Sequence, residues 1–233
     1  MLDASVGRER GTRRNAEANV SGVRVKICGL VSPEDALAAV DAGADLIGVN
    51  FVPDSPRCVD LRMAEAICEA VADAPVERVA LFRDAPWKEI DHVISRVDFD
   101  RVQFHGEETE DEVESVDLPA IKAIRGADLE AAENYPGAIL LLDHPHAGGG
   151  QGQAWDWSEA EQLIAMGQDV IIAGGLSPEN VEQALDDVGD IPPWGVDVAT
   201  GVENDEFAKD PVRMKAFVEA VRRHVGEVKL EIE

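Results

Sequence analysis

Basic residues are scarce in this chain. Lysine and arginine number 21 against 47 aspartates and glutamates, a formal net charge of −26 over 233 residues. A surface that acidic argues against nucleic acid and anionic membrane as partners, since both are gripped through a basic face. It suits a solvated shell that aids solubility while self-repulsion costs stability, a trade-off that halophilic proteins use. Cysteine is also sparse. Cys28, Cys58 and Cys68 are an odd number, with no Cys-x-x-Cys spacing, which speaks for a reducing cytoplasm and against a disulfide framework. No apolar run nears the ~20 residues of a membrane span. Residues 1–22 carry Arg8, Arg10, Arg13 and Arg14 but lack the apolar core of a secretory signal. They read as a disordered extension, or as the product of a start codon placed too early.

What the chain does have is a rhythm. From Val23 onward a short run rich in Val, Ile and Leu gives way to a turn, an amphipathic stretch and another turn, eight times over. Strands are expected at 23–28, 45–51, 77–82, 100–104, 119–123, 138–142, 169–173 and 194–198. Helices are expected at 33–42, 60–73, 87–97, 109–116, 127–133, 157–166, 178–187 and 208–224. Eight alternating pairs in one domain of this length are the pattern of an α/β (β/α)8 barrel, a TIM barrel, over residues 23–225. Residues 226–233 read as an acidic tail. An open doubly wound sheet is the alternative, disfavoured because no Gly-x-Gly-x-x-Gly follows the first strand.

Barrel enzymes place their chemistry on the loops after the strand carboxyl ends. Cys28 stands there after the first strand, Arg57 after the second and His105 after the fourth. Asp143 closes the sixth strand, Gly174-Gly175 the seventh and Ala199-Thr200-Gly201 the eighth. Alternation puts Lys26 and Cys28 on one face of the first strand and Val25 and Ile27 on the other. The following helix opens on Ser32-Pro33-Glu34-Asp35, with Ser32 as N-cap. Paired glycines after the seventh strand let a backbone approach an oxyanion closely. Together with the eighth-strand loop they sit where barrel phosphate sites recur. The loop after the sixth strand, 143–153, is long and rich in glycine and is followed by Trp155-Asp156-Trp157, which reads as a lid pinned by aromatic side chains. His144 and His146 lie in it without a third ligand at sensible spacing, so no metal site is inferred. Cys28 in isolation reads equally as a small core residue, Arg57 as a surface cation, and His105 as a structural hydrogen-bonder.

In order along the chain stand Lys26-Ile27-Cys28-Gly29; Phe51 with Ser55-Pro56-Arg57; Gln103-Phe104-His105-Gly106; Asp143, then Gly149-Gly150-Gln151-Gly152 and Asp156-Trp157; Ala173-Gly174-Gly175-Leu176 with Pro178 and Asn180-Val181; and Val196 through Glu203. By these six motifs the chain resembles the phosphoribosylanthranilate isomerases of tryptophan biosynthesis from about Val23 to Val225. The resemblance implies a barrel that carries out an Amadori rearrangement on a small phosphorylated anionic substrate, with no metal or organic cofactor. It implies Cys28 as general base, Asp143 as general acid and Arg57 at the anthranilate carboxylate. Asp197 would bind substrate near the anthranilate, with His105 behind it. Gly174, Gly175, Ala199, Thr200 and Gly201 would hold the phosphate. It leaves room for association with other enzymes of that pathway. The acid chemistry calls for a raised Asp143 pKa, to be supplied by the substrate's own phosphate and carboxylate under a closed lid, and for a Cys28 thiolate favoured by Lys26 or helix-end amides.

The chain departs from the family at Ala199-Thr200, commonly Ser-Ser, at Gln151 and Trp155 in the lid, and at Asn50, usually more apolar. Related phosphosugar isomerases of histidine biosynthesis, single- or dual-substrate, use two aspartates, so Cys28 argues against them. A barrel that only binds a phosphorylated metabolite, or a flavin barrel, shares the phosphate loops but has no use for Cys28 opposite Asp143.

Overall fold

The computed structural model describes residues 22–145, 155–204 and 208–232. Eight parallel strands close into a barrel in chain order, each paired with the next and the last with the first. They are β1 (Arg24–Cys28), β2 (Leu46–Asn50), β3 (Glu77–Phe82), β4 (Arg101–Phe104), β5 (Ala120–Arg125), β6 (Ile139–Asp143), β7 (Val170–Ile172) and β8 (Gly195–Val198). Around them run α1 (Pro33–Ala42), α2 (Leu61–Ala70), α3 (Trp87–Ile94), α4 (Glu110–Glu114), α5 (Leu129–Glu133), α6 (Glu161–Ala165), α7 (Val181–Asp187) and α8 (Pro211–Ile232). The (β/α)8 expectation holds and the open sheet is excluded. The 1–22 extension lies outside the described residues, apart from Gly22.

Period-two alternation divides the core into two layers. Leu46, Val79, Ile121, Ile139, Leu141 and Ile171 fill the lumen. Val25, Ile27, Ile47, Val49, Leu140, Leu142 and Val196 face outward onto the helices. Lys26 and Cys28 fall on the lumen side, as the alternation requires. Helix caps then fix where each strand end points. Ser32 Oγ accepts the Asp35 N–H at 3.1 Å, Pro33 opens α1, and Gly43 closes it at φ 92°.

Several helix boundaries differ from expectation: α2 stops at Ala70 and α3 at Ile94, Trp157–Ala160 is a 3-10 turn ahead of α6, and α7 and α8 are displaced for local reasons. Helix α7 begins at Val181 rather than 178, because Asn180 Oδ1 accepts the Ser177 N–H at 2.7 Å and holds Ser177–Asn180 as a turn. Helix α8 begins at Pro211 rather than 208, with Asp210 accepting the Val212 N–H at 2.8 Å. It also runs on to Ile232, through the segment read as a tail. Gly226 is the only poor helix former there, and one glycine costs about 1 kcal/mol, too little to end a long helix.

Candidate active site

Lys26 reaches up the barrel lumen, fully buried, and its Nζ donates to Asp197 Oδ1 on β8 at 2.7 Å. Cys28 stands one alternation higher. Both depend on Gly48 of β2, where a Cβ would lie 2.7 Å from Cys28 Sγ and 3.2 Å from Lys26 Nζ. Burial pushes the Cys28 thiol above its ordinary value, Lys26 pulls it down, and burial wins. The expectation that Lys26 would leave a ready thiolate is therefore corrected: its charge is already committed to Asp197. Burial lowers the lysine's own pKa, but Asp197 and Cys28 together outweigh it and raise it. Asp197, expected near the anthranilate, is in this structure the partner that holds Lys26.

Arg57 arrives on a loop that Asn50 shapes. Asn50 Oδ1 accepts the Val52 N–H at 2.8 Å and its Nδ2 donates to Ser55 Oγ at 3.0 Å. The polar residue at the end of β2 is thus a loop brace. Gly29, at φ 76°, leaves room for the Arg57 chain, since a Cβ would lie 2.4 Å from Arg57 Cδ. The guanidinium, nearly buried, donates through Nε and Nη2 to the two oxygens of Glu203 at 2.6 and 2.7 Å, and through Nη2 to Thr200 Oγ1 at 3.0 Å. Lys209 Nζ closes the cluster on Glu203 and on the Ala199 carbonyl. Desolvation lowers the Lys209 pKa more than Glu203 restores it. Arg57 is therefore bound to the eighth-strand loop, which its reading as a surface cation does not allow.

Asp143, at the end of β6, accepts from His105 Nε2 at 3.2 Å and from the His144 N–H at 2.8 Å. Burial raises the pKa of the carboxyl, but the His105 hydrogen bond and charge, with His144 behind them, outweigh it and leave it below the usual carboxylate range. The protein's own groups therefore hold this carboxyl down and do not supply the upward shift. His105 is itself held, with Gln103 Nε2 3.1 Å from its Nδ1. The turn beyond it is braced by buried Glu108, which accepts from the Gly106 N–H at 2.9 Å, the Asp84 N–H at 2.8 Å and Lys122 Nζ at 3.0 Å. Asp84 takes φ 50° there, the sole non-glycine in the left-handed region among the described residues. A cavity of about 590 Å³ opens beside Asp143 and His105, lined also by Arg83, Lys122, Arg125 and Tyr135.

Gly174 and Gly175 adopt φ 77° and 75°, so this bend is closed to most side chains. A Cβ on Gly201 would lie 2.0 Å from the Leu176 carbonyl, so the seventh- and eighth-strand loops pack edge to edge. Their carbonyls are turned into the protein. Gly175 accepts from Asn180 at 2.9 Å, Ala199 from Lys209 at 3.1 Å and Gly201 from Arg213 at 2.9 Å. In a trans peptide the next N–H points the opposite way, so the Leu176 and Thr200 amides face away from those anchors. Trp155 and Trp157 both donate their indole N–H to the Ala173 carbonyl, at 2.9 and 3.1 Å, where the loop after β6 rejoins the barrel. Residues 146–154 of that loop, with His146 and Gln151, lie outside the described residues.

The rim thus gathers a thiol, a carboxylate with its histidine, a clamped arginine and two amide-bearing loops, groups of the kind that proton transfer on a small anion requires. Gly48, Gln103, Glu203 and Lys209 were not singled out as functional from sequence. Gln103 and Glu203 stood inside motifs shared with the family, and Gly48 carried its own signal, a glycine inside a strand, where close approach of another group is the usual reason.

The profile of the family described as "PRAI: N-(5'phosphoribosyl)anthranilate (PRA) isomerase" matches residues 25–220. A relative named N-(5'-phosphoribosyl)anthranilate isomerase, from Pseudomonas putida strain F1, is 45% identical over 213 residues, 88% of this chain and all of that protein. The crystal structure of phosphoribosyl anthranilate isomerase from Thermus thermophilus superposes with a TM-score of 0.78 at 36% identity, covering 86% of this chain and 99% of that one. A further solved phosphoribosyl anthranilate isomerase, in complex with reduced 1-(o-carboxyphenylamino)-1-deoxyribulose 5-phosphate, gives 0.75 at 34% identity with the same coverage.

Proposed function

The chain belongs to the N-(5'-phosphoribosyl)anthranilate isomerase family, and from that membership we propose how its rim divides the work of the reaction. The reaction is the Amadori rearrangement of N-(5-phosphoribosyl)anthranilate to 1-(2-carboxyphenylamino)-1-deoxyribulose 5-phosphate in tryptophan biosynthesis. Ring opening breaks the C1′–O4′ bond as O4′ takes a proton and C1′ becomes an iminium carbon. A base then removes the C2′ proton to give an enolamine, which becomes the ketone as C1′ is protonated and the 2′-hydroxyl loses its proton. One acid and one base suffice.

In this reading Cys28 is the base and Asp143 gives the proton to O4′. The observation that carries it is the pairing of a lumen thiol, given space by Gly48, with a hydrogen-bonded carboxyl on the same barrel rim. Phosphate sits on the amides of Gly174, Gly175, Ala199, Thr200 and Gly201, whose loops are held by Asn180, Lys209 and Arg213. Arg57 meets the anthranilate carboxylate while Glu203 fixes its angle, and Asp197 acts by holding Lys26. His105 acts through Asp143. Among the described residues no helix is long and apolar enough to cross a membrane. We place the reaction in the cytoplasm, whose reducing poise keeps Cys28 a free thiol.

The test follows the fluorescence of phosphoribosylanthranilate, generated in situ, as wild type, Cys28→Ala and Asp143→Asn consume it. Wild type is expected to turn it over, with each variant slower by about 10²–10⁴-fold in kcat, the usual loss of a general acid or base. Near-normal rates in both variants would remove their roles.

A further inference from the structure

Gln103 lies on β4 inside the barrel, 1% exposed, and its Oε1 accepts from nothing among the described residues. A buried carbonyl oxygen left without a donor is costly and uncommon. The other end of the same amide explains why it is aimed that way. An amide nitrogen can only donate, so the 3.1 Å contact makes His105 Nδ1 the acceptor and puts the imidazole proton on Nε2, facing Asp143 at 3.2 Å. That arrangement describes the pair at rest, one proton short of what ring opening needs: neutral imidazole, ionised carboxylate.

Before ring opening the pair must hold one proton more. Both Asp143 oxygens already accept hydrogen bonds, Oδ2 from His105 and Oδ1 from the His144 N–H, which favours the carboxylate as anion. The extra proton is then best held on His105 as imidazolium, with Nε2–H on Asp143 and Nδ1–H in need of an acceptor. Gln103 Nε2 cannot serve, but Gln103 Oε1 can after a half turn of the amide, and the orphaned oxygen gains its partner.

We propose that Gln103 is a positioning residue whose amide orientation sets the proton state of the His105–Asp143 pair. With Nε2 toward His105 the pair is proton-poor; with Oε1 there it is loaded for ring opening. The step balances simply. One proton leaves His105 Nε2 for Asp143, and from Asp143 passes to O4′ as the C1′–O4′ electron pair moves onto that oxygen. The imidazole is left neutral with its proton on Nδ1, still held by Gln103 Oε1; water takes that proton and returns one to Nε2, and the amide then turns back. The proposal rests on Asp143 as proton donor.

Two measurements test it. Imidazole nitrogen NMR of the wild type, free in solution near neutral pH, is expected to show His105 with Nδ1 unprotonated and Nε2 protonated. The opposite tautomer would overturn the proposal without any variant. In Gln103→Met, which keeps the volume but neither donates nor accepts, the His105 signals should move to mixed tautomers. Its kcat should fall by about 10–100-fold, the scale on which losing an orienting partner acts. Its KM should stay within about twofold, since the contact works on the chemical step rather than on uniform binding. A folded Gln103→Met enzyme with wild-type kcat, beside an inactive Asp143→Asn, would sink the relay and leave the role of Asp143 standing. A near-normal Asp143→Asn would instead remove the premise.

Discussion

At the scale of single residues, the site is built from small absences as much as from reactive groups. Gly48 has no side chain so that Cys28 Sγ and Lys26 Nζ can stand beside it, and Gly29 has none so that Arg57 can cross it. Gly48→Ala is therefore expected to cost about 1–3 kcal/mol of overpacking and to lower kcat by displacing Cys28. Thermal unfolding alongside turnover checks both, and an active, unshifted variant would mean the thiol has room to spare. Cys68 behaves differently. Burial pushes its thiol up to about 12, which marks it as packing. A group with a raised folded pKa contributes stability that is present below its unfolded value near 9 and is lost as pH climbs toward 12. Cys68→Val should flatten the alkaline fall of stability between those limits; identical falls in both proteins would contradict the shift. From the sequence, the residues at strand ends were legible because a parallel barrel sends them all to one rim. Their partners were not. Lys26 and Asp197 are 171 positions apart and Arg57 and Glu203 are 146 apart, and no periodicity links such pairs.

At the scale of elements, β2 and β8 are tied through their loops by the Arg57–Glu203–Lys209 cluster. In the proposed roles, the arginine for the carboxylate and the loop for the phosphate thus share one internal acid. Glu203→Gln leaves two buried cations facing each other, and breaking a buried pair in this way costs about 3–5 kcal/mol. Lys209, whose pKa burial already lowers, sheds its proton more readily once Glu203 is gone, so the loss should be smaller at pH 9 than at pH 6. Urea denaturation of both proteins at the two pH values measures it, and a variant as stable as wild type at pH 6 would deny the cluster its role. Strand bounds were legible to within two residues, since the runs of Val, Ile and Leu end where burial ends. Two helix starts slipped where a side chain holds the preceding turn: Asn180 ahead of α7 and Asp210 ahead of α8.

At the scale of the whole molecule, a net charge of −26 repels itself while the barrel closes on its own sheet. Raising salt from 0.01 to 1 M shrinks the screening length from about 30 to 3 Å, so the melting temperature should rise with salt. Scanning calorimetry at both concentrations reads this directly; a fall would mean that ion pairs such as Arg222–Asp45 and Arg223–Glu182 outweigh the repulsion. The barrel itself was legible because eight repeats of one pattern leave few other ways to bury their faces.

The most direct test of Cys28 as the base is the pH dependence of kcat/KM on phosphoribosylanthranilate, which reports the free enzyme. Burial raises the thiol, so the thiolate fraction climbs through and past the ordinary thiol range. Turnover also needs the acid for O4′ in its protonated form, and Asp143 lies below the usual carboxylate range. That form thins out as the thiolate accumulates, so wild type is expected to stay level from neutrality to roughly pH 9. In Asp143→Asn the thiolate alone sets the residual rate, which should climb about tenfold per pH unit over that range. Adding Cys28→Ala to that variant should remove the climb. A level profile in Asp143→Asn, or the same climb in the double variant, would contradict the account.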